Sequence, residues 1–170
     1  ISSRGFDVHQ AHDEYVDDLF SRHPDLIKKS FFNTEKKPFF TFLQFSKIHT
    51  ATVSEVLKKF DWDDPVFYQN KEKNLQIYDD AFKESGKYAQ KIIDTINELE
   101  IENNTYVIFF SDHGTGVGER FGERNYGVFL YEETIRTFYL FISPTIEKNK
   151  NSSKLFSVLQ IFPTLLELCH

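Results

Sequence analysis

Cysteine is nearly absent. Cys169 is the only one in 170 residues, so no intrachain disulfide can hold this fold. A lone thiol fits a reducing compartment and leaves a secreted parent protein equally open. Methionine is missing altogether, and Ile1-Ser2-Ser3-Arg4-Gly5 carries neither an initiator residue nor a signal-peptide pattern. A segment upstream of Ile1 is therefore expected. No apolar run approaches the ~18 residues that a bilayer-spanning helix needs. A basic excess is also lacking: the net charge is −6, with both signs interspersed, which argues against nucleic acid and gives a surface suited to solubility. There is no internal repeat, low-complexity tract or interdomain linker, so residues 1–170 read as one domain. Asn103-Asn104-Thr105 and Asn151-Ser152-Ser153 fit the glycosylation acceptor pattern but are too short to decide anything.

What is present is an apolar, aromatic-rich chain, 40% hydrophobic with 19 phenylalanines, which supports a packed body. A short helix is predicted over His9–Phe20, with Tyr15, Val16, Leu19 and Phe20 on one side. Asn33–Lys37 reads as a polar connector. Pro38 then opens Phe39-Phe40-Thr41-Phe42-Leu43-Gln44-Phe45, which has the form of a buried strand. Phe60–Asn70 reads as an irregular excursion. From Lys73 to Leu99 the apolar residues Tyr78, Phe82, Ala89, Ile92, Ile93, Ile96 and Leu99 recur near helical spacing, with Gly86 a weak point. Thr105–Phe110 and Thr137–Ile142 are strand candidates, and Gly114–Gly127 between them is glycine-rich. A last helix is expected over Leu155–Leu168, with Pro163 near its first turn. Strands separated by helices predict an α/β layered sandwich with a mostly parallel sheet.

The chemistry concentrates at Ser111-Asp112-His113-Gly114, directly after the strongest strand candidate. Ligands of open α/β sheets bind beyond the carboxyl ends of strands. An adjacent carboxylate and imidazole there suit a metal ion, and glycines at 114, 116 and 118 allow a close backbone approach. A loop in which Asp112 caps a turn and His113 faces solvent satisfies the same residues.

Five stretches in order resemble the sulfatase family of the alkaline-phosphatase-like superfamily. Tyr106–Gly114 is similar to the strand that delivers an Asp-His or Asp-Asn pair to a divalent cation. Leu130-Tyr131-Glu132-Glu133-Thr134-Ile135-Arg136 resembles the family's Leu-Tyr-Glu-Glu-x-x-Arg, and Ile161–Leu168 its Ile-x-Pro-Thr-Leu-Leu-x-Leu helix. Pro38-Phe39-Phe40 with Ile48-His49-Thr50, and Arg4-Gly5-Phe6-Asp7, look like the strand, His-Thr turn and Gly-Phe-Asp that precede them. The resemblance implies the C-terminal part of a catalytic domain, its N-terminal half lying outside this chain.

By the same resemblance Asp112 and His113 are metal ligands, and His49 contacts the sulfate ester and protonates the leaving oxygen. The cation is calcium by family habit, with magnesium, manganese or zinc as alternatives that His113 favours. The family lysine before Leu-Tyr-Glu-Glu is missing. Alignment on Gly127 puts Tyr126 in its place, and Arg124 supplies the charge after a small shift. Glu132, Glu133 and Arg136 are expected to form a structural ion-pair and capping cluster, and His9, His12 and Asp13 a solvated helix face. The Cys/Ser-x-Pro-x-Arg pentapeptide that yields formylglycine does not occur here, nor does an N-terminal acidic pair, so the isolated chain is expected to be inactive. The implied substrate is a sulfate ester of a small molecule or glycan. A single-metal phosphatase or phosphotransferase of the same superfamily, and a non-catalytic binding module, are the competing readings. Apolar surface left by missing strands predicts self-association.

Overall fold

In the computed structural model, residues 5–13, 15–35, 37–57, 65–126 and 129–169 are described. In chain order the elements are α1 (Leu19–Asn33), α2 (Lys47–Leu57), α3 (Pro65–Gln69), α4 (Lys71–Glu98), β1 (Val107–Phe110), α5 (Glu132–Ile135), β2 (Tyr139–Ile142) and α6 (Ile161–Leu168). Short 3₁₀ turns lie at Glu102–Asn104 and Val158–Gln160.

The long periodic stretch forms α4, the spine against which α1 and α2 pack. Its inward face carries Ala81, Tyr88, Ile92, Thr95 and Ile96, a spacing of three, four and seven that lines one side of a helix. Phe82 falls off that stripe, stays 45% exposed, and meets Phe138 edge-on. Ile27 of α1 joins Tyr88, Ile92 and Ile96 in the main core, with Leu43, Phe45, Val107 and Phe109 packed around them. At its centre the rings of Phe45 and Tyr88 stack 4.0 Å apart, and Phe20 meets both edge-on. Such offset and T-shaped pairs add about 0.5–1.5 kcal/mol each beyond area burial.

Three expectations are corrected. Among the described residues the span predicted as helix over His9–Phe20 is helical only at Leu19 and Phe20, because Asp18 caps a new start there. Its carboxylate accepts from the Phe20 amide and the Ser21 hydroxyl, and α1 runs on from Leu19. Pro24 sits inside α1 and only forfeits one amide donor near its start. The Phe39–Phe45 strand is extended backbone without a ladder, since no strand lies beside it among the described residues. Its side chains still alternate as in a strand: Thr41, Leu43 and Phe45 turn inward, whereas Phe42 remains 43% exposed. In Phe60–Asn70, residues 65–69 form α3, and 58–64 lie outside the described residues.

β1 and β2 form at the expected places, but they pair with each other antiparallel, Val107 opposite Ile142 and Phe110 opposite Tyr139. The mostly parallel layered sheet is thus not what the described residues build: they make a helical body with one two-stranded ribbon. The last helix begins later than expected, after a capping box in which Ser157 and Gln160 satisfy each other's backbone amides. Pro163 is then the third residue of α6, where its missing amide costs no helical bond.

Two stability predictions arise from α4. A methyl group on Gly86 would meet nothing within 4 Å, so Gly86→Ala should stabilise the protein by about 0.5–1 kcal/mol in urea unfolding. The second concerns His23, 4% exposed with Nδ1 2.6 Å from the Tyr88 hydroxyl. Burial, then the positive charges of His12 and Arg22, lower its imidazole from 6.5 to about 4. The unfolded chain takes up that proton first. The stabilisation is therefore full above pH 6.5 and is lost as pH falls through about 4. At ~1.4 kcal/mol per pKa unit the loss approaches about 3 kcal/mol. Urea midpoints measured from pH 7 to pH 4 should fall for the native protein and fall less steeply for His23→Gln.

Candidate active site

The site is built where β1 ends. The Ser111 amide donates to the Phe138 carbonyl at 3.4 Å, carrying the ribbon one residue further before the chain turns away. Gly114 then drops onto α5: its amide donates to the Thr134 carbonyl at 2.8 Å. A Cβ here would lie 2.3 Å from the Glu133 carbonyl oxygen and 2.9 Å from that of Arg136. The glycine of Ser-Asp-His-Gly and the turn of Leu-Tyr-Glu-Glu-x-x-Arg thus fit each other sterically. Thr134 is buried beneath, its hydroxyl donating to the Phe129 and Tyr131 carbonyls. The expected charged cluster is structural, with a different partner: Glu133 accepts from Arg120 at 2.7 Å, and the Arg120 guanidinium lies 4.3 Å above Tyr131. Its own backbone N–H, together with Arg120, holds the Glu133 carboxyl below the usual carboxylate range.

The glycine-rich loop folds back on itself. Gly116 and Asn125 exchange backbone hydrogen bonds as an antiparallel bridge, so Tyr126 returns alongside His113. Asn125 makes the turn with φ +58°, a conformation asparagine tolerates better than most residues. Asn74 of α4 fastens the loop from below, donating to the carbonyls of Phe67 and Val117 at 2.8 and 3.0 Å. Tyr68 accepts from the Gly122 amide. Gly127, the expected end of the loop, lies outside the described residues.

Within this frame His49 and His113 both meet Tyr126, and Asp112 lies beside His113. His49 stands in the first turn of α2, not at a strand end, and its Nδ1 is 2.8 Å from the Tyr126 hydroxyl. The His113 ring lies 4.1 Å from the Tyr126 ring, centroid to centroid. Arg124 is buried, with its guanidinium 4.9 Å from the Phe67 ring centroid.

The donor chemistry of the Asp-His pair suits a cation. The His113 Nδ1 is 2.7 Å from the Gly114 carbonyl oxygen, which can only accept, so Nδ1 carries the proton and Nε2 the lone pair. That Nε2 faces the Asp112 carboxylate across 3.7 Å. Two ligand atoms each about 2.0–2.4 Å from one ion subtend such a span. Asp112 is 80% and His113 41% exposed at the side chain, so the pair is accessible. Among the described residues no group of three or more His, Cys, Asp or Glu side chains is placed to hold a metal. His9 and His12 do not share a helix, and His12 rests edge-on against His23.

Sequence reasoning missed Glu123, which is 2% exposed and accepts from the Phe129 amide, and it missed the anchoring role of Asn74. Neither sits in a pattern that composition or spacing marks. Asn74 lies where the helical period is read for apolar residues, and Glu123 sits in a stretch with the polarity of a solvated loop.

The sulfatase family model matches residues 8–170, nearly the whole chain. The chain belongs to the sulfatase family. Among curated relatives, arylsulfatase K of Canis lupus familiaris is 29% identical over 103 residues, 60% of this chain and 19% of the relative. Arylsulfatase K of Xenopus laevis is 31% identical over 78 residues, covering 46% and 14%. A sulfatase of Formosa agariphila is 30% identical over 82 residues, covering 46% and 15%. The matched part of this sulfatase chain spans less than a fifth of those relatives' length. No solved structure matches it.

The steric fit at Gly114 gives this sulfatase chain a sharp test. Gly114→Ala must separate two backbone segments, so it should cost at least about 1–3 kcal/mol in denaturant unfolding. A change within a few tenths of a kcal/mol of the parent would show that the loop does not dock on α5 as described.

Proposed function

We propose that this chain is the part of a sulfuric ester hydrolase that supplies two metal-binding side chains and the histidine that protonates the leaving alcohol. One observation carries the reading: His49 from α2 and His113 from the β1 loop converge on a single tyrosine, Tyr126, next to an open carboxylate. Family membership supplies the reaction class, and the relatives' names speak of sulfatases and arylsulfatases. The substrate class is a sulfate ester of a small molecule or glycan. In the whole protein, β1 and the extended stretch 38–46 would join a larger, mostly parallel sheet of the alkaline-phosphatase type.

In this reading Asp112 and His113 would hold one divalent cation, calcium by family habit, with further ligands from elsewhere in the protein. A cation held there would supply positive charge to offset the build-up on the sulfate oxygens in the transition state. Asp112 supplies a fixed negative charge for that ion. His113 is kept in one tautomer by the Gly114 carbonyl, so its lone pair stays available at any pH that leaves it neutral. His49 presents Nε2 to the bridging ester oxygen and delivers a proton as the S–O bond breaks, sparing the departing alkoxide its charge. Arg124 packs under the loop against Phe67 and lends positive potential from below. The attacking group, formylglycine in this family, belongs to sequence that this chain does not contain. The isolated chain is therefore inactive.

The full-length protein carrying this sequence should release sulfate from an aryl sulfate ester. Asp112→Ala and His49→Ala should each lower turnover by about 10²–10⁴-fold. Calorimetric titration should give one calcium site in the parent and none in Asp112→Ala. Turnover of the matching phosphate ester alone would move the protein to phosphoryl transfer. Absence of both activities together with absence of stoichiometric metal binding would make it a non-catalytic module.

A further inference from the structure

We propose that Tyr126 is the positioning residue for His49, dictating which imidazole nitrogen carries the transferable proton. The inference rests on the catalytic role given to His49 above and adds a residue to it. The Tyr126 hydroxyl is 2.8 Å from His49 Nδ1, and the two rings are inclined at 39° with centroids 6.0 Å apart. Both partners are held by rigid neighbours. His49 sits in the first turn of α2, where the Thr50 amide donates to the Ser46 carbonyl and the Thr50 hydroxyl to that of Lys47. Tyr126 follows Asn125, which is buried, pinned to Gly116 by two backbone bonds and turned with positive φ. A hydrogen bond between two side chains so anchored has little freedom to swing elsewhere.

The phenol suits this task because its oxygen both donates and accepts. Toward neutral His49 it donates to the Nδ1 lone pair, which leaves the ring proton on Nε2. Toward the imidazolium it accepts from Nδ1–H, and Nε2–H again points away from Tyr126. In either state Nε2 is the nitrogen that faces outward with a proton. During ester cleavage the Nε2–H bond of the imidazolium breaks, and its proton goes to the bridging oxygen as that oxygen takes the S–O electron pair. The ring is left for the moment with its proton on Nδ1, hydrogen-bonded to the Tyr126 oxygen; it takes a proton from water at Nε2 and releases the Nδ1 proton to water, which restores the Nε2–H form to which Tyr126 donates. A lysine at this position, which the resemblance leads one to expect, has only donors and would repel the imidazolium. Tyr126 thus exchanges a direct charge on the sulfate for control of the acid. The 4.1 Å contact of its ring with His113 ties that control to the metal pair.

The test is nitrogen-15 NMR of the imidazoles in the full-length protein, read beside steady-state kinetics on an aryl sulfate. In the parent, neutral His49 should show the Nε2–H tautomer. In Tyr126→Phe it should show a mixture of tautomers, with kcat lowered about 10- to 100-fold and KM changed less than about threefold. Should Tyr126→Phe fail to fold, replacement of Tyr126 by 3,5-difluorotyrosine keeps the ring and strengthens the donor. The His49 Nδ1 signal should then move. A His49 tautomer and Nδ1 shift unaffected by either change would overturn the proposal. The tautomer readout needs no turnover. A parent protein that shows the Tyr126-dependent tautomer yet loses no sulfate release in His49→Ala would instead sink the catalytic reading, leaving the pairing intact.

Discussion

The site depends on the contact between Gly114 and the α5 turn. There the amide of one segment meets the carbonyl of another at 2.8 Å, with no space for a side chain between them. Backbone docked on backbone has none of the rotameric freedom that blurs side-chain contacts, so the direction in which Asp112 and His113 leave β1 is fixed by main-chain geometry. Thr134, whose carbonyl receives that amide, is itself tied down by its hydroxyl to the Phe129 and Tyr131 carbonyls, and Arg120 joins Glu133 while lying over the Tyr131 ring. Arg120 is half exposed while Glu133 is largely covered, and an ion pair so open on one side adds little stability by itself. Its value is geometric, joining the returning loop to the turn it must face.

Around this contact the helical body acts as an anvil. α4 supplies a continuous apolar stripe for α1, for the inward side of residues 41–45 and for β1, so the start of the Asp-His loop is rooted in the main core. The same helix offers Asn74 to two carbonyls of the overlying segments. The aromatic surplus is divided between these roles. Phe20, Phe45 and Tyr88 stack in the core, whereas Phe40, Phe121, Phe129 and Phe162 remain exposed. The extended stretch 38–46 shows both tendencies at once, one face packed and the other bare, with no strand paired to it among the described residues.

Tyr126 gives the site its particular character. Its phenol reaches a histidine that the chain contributes from a helix well before it. The charge that Arg124 brings lies lower, against Phe67.

By itself the sequence determined the elements whose pattern is long or whose chemistry is local. The α4 helix, the β1 and β2 runs, the late helix with its proline and the Asp-His-Gly turn were all legible, because a period of 3.6 or a strand ending in a glycine leaves its mark residue by residue, although of the buried α4 face only Ile92 and Ile96 were read. Family membership was legible too, since five short motifs kept their order. The tertiary structure alone decided the rest. Whether Phe39–Phe45 became a strand depended on a neighbour to pair with, and whether His9–Phe20 became a helix depended on where Asp18 found amides to cap. The antiparallel sense of the ribbon, the meeting of His49 with Tyr126, the burial of Glu123 and the fit of Gly114 against α5 all join residues far apart in the chain. Such contacts arise from packing after the elements form, and no window of neighbouring residues carries their signature.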